Sequence, residues 1–140
     1  MLGNGTRSSS GDGELATEAA ILMPDALCFD VHDNLYVGEK YGFRLRQVDA
    51  GTGRVSPLAG NGQAGWGDEG LRGPESRINS IEAGLWADPD GTVFWGDSSG
   101  RLRRYDGATA LGGTSVHDGG PATEAFLGNP GEVSIAPDGT

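Results

Sequence analysis

The sequence predicts an all-β protein made of repeated four-stranded antiparallel units, and three observations lead to this prediction. First, 26 of the 140 residues are glycine, which indicates many tight turns. Second, residues 118–127 echo residues 12–21. A degraded copy at 67–70 lies midway between them, so the unit is about 53 residues long. Third, the strand-like runs are apolar at consecutive positions, a pattern typical of strands covered on both faces.

The first unit contains four strand-like runs in series. Residues 24–30 and 35–39 are apolar and are separated by turn-forming residues, which predicts a β-hairpin. A third, more polar run covers 43–49, and a fourth covers 54–59. Pro57 confines the fourth strand to a sheet edge, because proline has no backbone N–H to donate to a ladder.

The second unit repeats this order. Its predicted strands are 83–88, 92–97, 101–106 and one within 108–115. The next unit begins at Asp118 and includes a first strand at 131–136. At the other end, Met1–Gly5 matches Leu58–Gly62, one repeat further along, so we expect the chain to open in the outer strand of a preceding unit.

Four antiparallel strands per unit, with an apolar inner pair and a polar outer pair, are what a blade of a β-propeller requires. Each blade buries both faces against its neighbours, and its outermost strand faces water. We therefore expect a partial β-propeller with about two complete blades and the ends of two others. The predicted division is the tail of a preceding blade with its loop at 1–15, a blade at 16–66, a blade at 67–117 and the truncated start of the next blade at 118–140.

The motifs of these units resemble those of NHL-repeat propellers. The combination consists of DGGPATEAFLGNP at 118–130, LYVGE at 35–39, RLRQVD at 44–49 and a closing AGNG at 59–62. The resemblance covers essentially the whole chain. Such propellers occur in bacterial multi-repeat proteins and in teneurin-like surface proteins, so the resemblance implies a segment of a larger protein, with an extracellular or cell-surface parent as the expectation.

The composition limits the partners. The formal charge of −10 arises from 20 acidic and 10 basic side chains. This charge repels phosphate backbones, so we expect no nucleic-acid binding, and it favours cations or basic partners. No apolar run approaches the ~20 residues of a membrane span, and no membrane segment is predicted in this chain. The single cysteine, Cys28, is predicted to be a buried thiol that behaves as a small apolar residue.

Several motifs that suggest chemistry have a simpler explanation in the repeat. Gly60–Gly65 matches the G-x-G-x-x-G fingerprint, but the residues after it do not start the helix that a dinucleotide site needs. Asp30 and Asp88 end equivalent strands and are predicted to accept hydrogen bonds within their units. His32 and His117 have no second His or Cys at ligand spacing, so no metal role is predicted for them. The arginines of the third strands are predicted to lay their stems on the sheet and place their charged heads in water: Arg44, Arg46, Arg101, Arg103 and Arg104.

One set of charges departs from the repeat. Asp25, Glu82 and Glu132 lie at the entry to predicted first strands, where the resemblance implies small residues. Carboxylates that converge at a propeller mouth would hold a divalent cation or a basic ligand, because hard cations take several oxygen ligands. However, the three positions are shifted by one residue from each other, and adjacent side chains on a strand point to opposite faces. Solvated loop charges are therefore the default interpretation, and this divalent cation is the sole cofactor hypothesis.

These observations favour a non-enzymatic propeller segment of a larger protein. We expect it to bind a protein or a small ligand through loops at one end of the ring, with further blades supplied by the parent chain. No catalytic residue is predicted. The alternative is a metal-dependent enzyme, because similar propellers include gluconolactonase-like hydrolases and peptidylglycine-type lyases, in which side chains from several blades hold a metal on the axis. Most of those ligands would then lie in other blades.

Overall fold

The computed structural model describes residues 1–65, 71–107 and 110–112, and within these ranges the chain forms two four-stranded antiparallel sheets. Sheet 1 consists of β1 (Pro24–Phe29), β2 (Leu35–Glu39), β3 (Arg44–Val48) and β4 (Val55–Ala59). Sheet 2 consists of β5 (Ile81–Ala87), β6 (Val93–Asp97), β7 (Arg101–Tyr105) and β8 (Ala110–Gly112). A short 3-10 turn at Gly73–Glu75 lies in the connection between them. The described residues contain no helix long and apolar enough to cross a membrane.

Both sheets are simple meanders, in which each strand pairs with the strand before it. The all-β prediction and the four-stranded antiparallel sheets are therefore confirmed. β4 pairs with β3 alone among the described strands, which agrees with the edge position predicted from Pro57. The fourth strand of the second unit, expected within 108–115, is found at Ala110–Gly112. The predicted strand at 131–136 lies outside the described residues.

The segment that precedes each sheet has the same hydrogen bonds at equivalent positions of the repeat. Asn4 and Asn61 each donate a side-chain N–H to a backbone carbonyl, Glu18 in the first case and Glu75 in the second. The backbone donors match as well: Gly3 to Ala16 at 2.8 Å, Gly60 to Gly73 at 2.9 Å, Asn4 to Ala19 at 2.9 Å and Asn61 to Ser76 at 2.9 Å. The match between the two sequence segments therefore corresponds to a repeated loop structure.

The two sheets pack face to face, with the first strand of sheet 1 beside the first strand of sheet 2. One apolar cluster joins them. It includes Tyr36 and Leu45 from sheet 1, Ile78 from the connection, and Ile81 and Trp95 from sheet 2. The side chain of Ile81 packs directly on Gly38, where a Cβ atom would lie 2.5 Å from Cγ2 of Ile81. A glycine is needed in the middle of β2 because any side chain there would occupy the space that Ile81 fills.

The other face of sheet 1 carries a buried ion network, and here one prediction is wrong. The Arg46 guanidinium has no exposed surface, although its head was expected in water. Its Nε donates to Asp12 at 2.9 Å, its Nη1 donates to Glu39 at 3.2 Å, and further N–H groups donate to the carbonyls of Ser10 and Ala20. The network ties the N-terminal segment to the sheet. The buried Glu39 carboxylate also accepts the backbone N–H of Leu22 at 3.1 Å.

Sheet 2 has the same arrangement on the face that meets sheet 1. Arg103 and Asp97 occupy the places of Arg46 and Glu39, are fully buried, and lie 3.9 Å apart. Arg101 is also buried, whereas Arg104 is exposed as predicted and Arg44 is partly exposed. The prediction fails for Arg46 because the N-terminal segment supplies acceptors to its guanidinium and excludes water from it. The counterpart of Asp12 falls within 66–70, outside the described residues.

We expect Gly38→Ala to lower the free energy of unfolding by about 1–3 kcal/mol, the usual cost of overpacking a filled core. The added methyl would overlap Ile81 and force the sheets apart. Gly51→Ala is the matched control, because a Cβ there would meet only Asp49 Oδ1 at 3.6 Å. Urea unfolding followed by circular dichroism measures both. Equal midpoints for the two variants would contradict the close approach of the sheets.

We expect Arg46→Met to lower the free energy of unfolding by about 3–5 kcal/mol, because it leaves the buried Glu39 carboxylate without its counter-charge. Arg44→Met should cost about 1 kcal/mol or less, since Arg44 contacts Asp12 at 3.3 Å in a partly solvated pair. The same urea experiment compares them. If both variants lose the same free energy of unfolding, the buried Arg46 network does not stabilise the fold more than the partly solvated Arg44 pair does.

Candidate functional site

The fold brings two of the three predicted carboxylates to one place. Asp25 is the second residue of β1 and Glu82 is the second residue of β5, and these strands lie side by side. Lys40, the residue directly after β2, lies between the two carboxylates. Its Nζ is 3.9 Å from Asp25 Oδ2 and 3.4 Å from Glu82 Oε1. We call these three residues the Asp25–Lys40–Glu82 cluster; Glu132 lies outside the described residues.

Irregular pairing at the start of both inner strands explains how the carboxylates meet. The register of β1 shifts between Pro24 and Ala26, and that of β5 shifts between Ile81 and Leu85. Such bulges bend a strand and re-aim its side chains, so strict alternation does not apply there. The irregularity is longer in β5 than in β1. This difference accounts for the offset of one residue between Asp25 and Glu82 when the two units are aligned. The rule that adjacent side chains point to opposite faces therefore does not keep Asp25 and Glu82 apart.

The electrostatics of the cluster centre on Lys40. The hydrogen bond to Glu82 and the charge of that carboxylate raise the pKa of the Lys40 ammonium, and Asp25 adds to this effect. All three side chains are partly exposed, so solvent screens their interactions. Lys40 is also held from its backbone, because its N–H donates to the carbonyl of Met23 at 3.0 Å. The result is a partly solvated site with one positive and two negative charges.

A divalent cation does not fit this cluster as it stands. Ca²⁺ takes six to eight oxygen ligands, and Mg²⁺ requires six in octahedral geometry. The cluster supplies two carboxylates, and the Lys40 ammonium already occupies the space between them. Across the described residues, no group of three or more His, Cys, Asp or Glu side chains is arranged to hold a metal. A cation would therefore need Lys40 to move and further oxygens to join.

Asp30 forms the second polar centre, at the opposite end of sheet 1. Its carboxylate accepts the backbone N–H groups of His32 and Asn34, the Asn34 amide and the Tyr36 hydroxyl, at 2.8–3.0 Å. Burial raises the pKa of Asp30, but these donors outweigh it and lower the pKa overall. The predicted role of Asp30 in hydrogen bonding within its unit is confirmed. Burial, together with the bond to Asp30, raises the pKa of the Tyr36 phenol.

The other residues that were weighed for chemistry have structural places. Gly60 opens the repeated loop with a φ of +90°, and a Cβ there would overlap the carbonyl of Phe43. His32 is exposed in the turn after β1. Trp86 Nε1 lies 3.4 Å from Asp88, which agrees with hydrogen bonding within the unit. His117 lies outside the described residues.

Sequence reasoning missed two features. Lys40 was not singled out, although it follows Glu39 in one unit where Ser98 follows Asp97 in the next, so it departs from the repeat as Asp25 does. The Arg46 network was also missed. The sequence does contain a pattern that indicates this network: each unit has an acidic residue at the end of its second strand and an arginine in the middle of its third. These residues are Glu39 and Arg46 in the first unit, and Asp97 and Arg103 in the second.

No family model matches the chain. Two known proteins are similar to parts of it. Teneurin-m of Drosophila melanogaster is 35% identical over 81 residues, which is 56% of this chain and 2% of that protein. Protein SUPPRESSOR OF QUENCHING 1, chloroplastic, of Arabidopsis thaliana is 34% identical over 71 residues, 51% of this chain and 6% of that protein. The chain thus spans only a small part of the length of either relative, and the match to a teneurin is compatible with NHL-type repeats.

We expect Cys28 to react slowly with alkylating reagents. Burial, and then the nearby Asp30 charge, raises the pKa of its thiol from 9.0 to about 11. Because the thiolate is the reactive form, iodoacetamide at pH 8 should modify the folded protein roughly 100-fold more slowly than the chain in urea. Mass spectrometry over time measures both rates. Equal rates would contradict the partial burial of Cys28 against the apolar cluster between the sheets.

Proposed function

We propose that this chain forms adjacent blades of an NHL-type β-propeller and acts as a non-enzymatic binding scaffold in a larger protein. The observation that carries the proposal is that the same sheet and the same preceding loop occur twice in the chain. Two four-stranded meanders stack with their first strands side by side, and the segments that precede them make the same hydrogen bonds at equivalent positions. Units of this kind build propellers when they continue around an axis. The partial match to Teneurin-m supports this reading.

The distribution of charge supports binding at the end that carries the Asp25–Lys40–Glu82 cluster. The buried charges of sheet 1 are already committed to structure, since Arg46 pairs with Glu39 and with Asp12 of the N-terminal segment. By contrast, the cluster lies on the inner strands, is partly exposed, and departs from the repeat. Residues that differ between otherwise equivalent units are those that the scaffold does not require. They are therefore the ones available for recognition.

The class of ligand follows from the ammonium group of Lys40, which the two carboxylates of the cluster already bind. Two carboxylates lie 3.9 and 3.4 Å from one ammonium group, so an ammonium or guanidinium group of a partner protein or small ligand can take the same position. The net charge of −10 attracts such a ligand from a distance. We therefore propose a basic ligand that competes with Lys40. The metal-dependent alternative requires Lys40 to leave the space between Asp25 and Glu82 and further oxygen ligands to join them.

Titration calorimetry with a lysine-rich peptide tests the basic-ligand proposal. We expect the double variant Asp25→Asn, Glu82→Gln to bind about three- to tenfold more weakly, in keeping with the loss of about 1 kcal/mol of surface electrostatics. Lys40→Met should bind more tightly than wild type, because it removes the competing ammonium. Glu14→Gln is the matched control: it changes an exposed carboxylate outside the cluster and should show less than a twofold effect.

Titration with CaCl₂ separates the two candidate functions. Calcium binding by the wild type that disappears in the double variant would favour the metal-dependent alternative. If the double variant binds the peptide as tightly as wild type, recognition does not occur at this end. If Lys40→Met weakens peptide binding, the ammonium is itself a contact rather than a competitor.

A further inference from the structure

A cleft opens between the two sheets, on the side of the β1–β2 and β5–β6 turns. Its volume is about 270 Å³. Sheet 1 lines it with Tyr36 and Gln47, which pair across β2 and β3. The β5–β6 turn supplies Asp90, and the end of β7 supplies Tyr105 and the next residue, Asp106. We call the space between these five residues the Tyr36–Tyr105 cleft.

The sheet 1 wall of the cleft has a fixed direction of hydrogen bonding. The Tyr36 hydroxyl donates to the Asp30 carboxylate at 3.0 Å, so the hydroxyl oxygen is left to accept. An N–H of the Gln47 amide donates to that oxygen at 3.2 Å. Tyr36 thereby orients the amide, whose carbonyl oxygen receives no hydrogen bond within the part of the chain that the structure describes. This wall therefore offers a hydrogen-bond acceptor to a ligand.

The sheet 2 wall adds negative charge. Asp90 is exposed at the mouth, and the backbone N–H and the hydroxyl of Thr92 lower the pKa of its carboxyl group. This carboxylate is therefore ionised at neutral pH. Asp106 is exposed as well, and its carboxylate lies 3.3 Å from the guanidinium of Arg104. Solvent screens this exposed pair, so another guanidinium group can compete for Asp106.

Two phenol rings complete the cleft. Tyr36 is buried in the apolar cluster between the sheets, and Tyr105 packs against that cluster from β7. Both positions depart from the repeat, because Phe94 and Val48 take the equivalent places in the other unit. Burial raises the pKa of the Tyr105 phenol despite the opposing charge of Arg72. The ring therefore stays neutral at physiological pH and attracts a cation through its π-electrons.

We propose that the Tyr36–Tyr105 cleft binds a guanidinium group, such as that of an arginine side chain. A guanidinium carries N–H donors around its edge and a flat face that stacks on aromatic rings. Its edge meets the two carboxylates and the Gln47 carbonyl oxygen, and its face meets the phenol rings. An ammonium group fits less well, because it is a compact and strongly hydrated charge. The inference does not rest on the proposed ligand site, since the cleft shares no residue with the Asp25–Lys40–Glu82 cluster.

Titration of the full 140-residue chain with N-acetylarginine amide, followed by NMR of the backbone amides, tests the proposal. We expect a Kd on the order of 1 mM. The amide signals of Gly91 and Gly107, which line the cleft, should shift on binding. N-acetylcitrulline amide has nearly the same shape but no charge, and it should bind about tenfold more weakly. Methylguanidine distinguishes a free small ligand, which it should match in affinity, from an arginine within a polypeptide, which should bind more tightly.

Two pairs of variants test the walls of the cleft. Asp90→Asn should weaken binding of the arginine amide about three- to tenfold, because it removes the charge while its side-chain oxygen can still accept from Thr92. Asp33→Asn is the matched control: it removes an exposed carboxylate from the β1–β2 turn and should show less than a twofold effect. Tyr105→Val introduces the residue that the first unit has at this place, and it should also weaken binding about three- to tenfold. Tyr105→Phe keeps the ring and should bind as wild type does.

The position of the shifted signals separates this cleft from the Asp25–Lys40–Glu82 cluster. The double variant Asp25→Asn, Glu82→Gln should leave the shifts of Gly91 and Gly107 unchanged, whether or not it still binds the lysine-rich peptide. Shifts confined to the neighbourhood of Lys40 overturn the proposal. Equal binding of the citrulline derivative also overturns it, because the ligand would then be a neutral polar group. The same holds if Asp90→Asn and Asp33→Asn bind equally, since only net charge would then matter.

Discussion

The buried guanidinium of Arg46 fixes the N-terminal segment to sheet 1, and the rest of that unit is arranged around it. Arg46 donates hydrogen bonds to Asp12 and to two backbone carbonyls of the N-terminal segment. It also donates to Glu39 within sheet 1. Burying these charges is costly, and the hydrogen bonds to both charged and backbone partners offset that cost only when all are present. The N-terminal segment is thereby fixed over the outer strands of sheet 1, and its position also sets where the chain enters β1.

Sheet 2 has a second buried pair of an arginine and an acidic residue. Arg103 and Asp97 lie on the face of sheet 2 that carries Trp95, are fully buried, and are 3.9 Å apart. The connection that follows β4 contributes Ile78 to the shared apolar cluster and has buried Ser76, whose hydroxyl donates to the carbonyl of Gly73 at 2.7 Å. Apolar burial joins the inner strands of the two sheets. The segment before each sheet makes the same hydrogen bonds in both units, although its motif at 67–70 is a degraded copy of that at 12–15.

The strands could be predicted from the sequence because their signals are local. The apolar runs and the turn residues between them placed β1 within 24–30 and β2 at 35–39, as observed. The arginines could not be placed in the same way. A long side chain on a polar strand normally reaches water, and only the tertiary path of the preceding segment turns Arg46 inward. The bulges were also hidden, because the extra residues at the start of β1 and β5 look like a loss of alignment in the sequence and show their effect only in the pairing of the strands.

The two units share what stabilises them and differ at their exposed surfaces. Glu39 and Asp97 keep the same acidic place, whereas Lys40 in one unit stands where Ser98 stands in the other. The inner strands show the same contrast, because Phe29 in one unit corresponds to the smaller Ala87 in the other. A larger side chain at an uncovered position widens the apolar surface there and adds to the free energy that burying it would release. Lys40 and Phe29 thus differ from their counterparts at exposed positions of the first unit, whereas the acidic residue and the arginine buried in each sheet are kept.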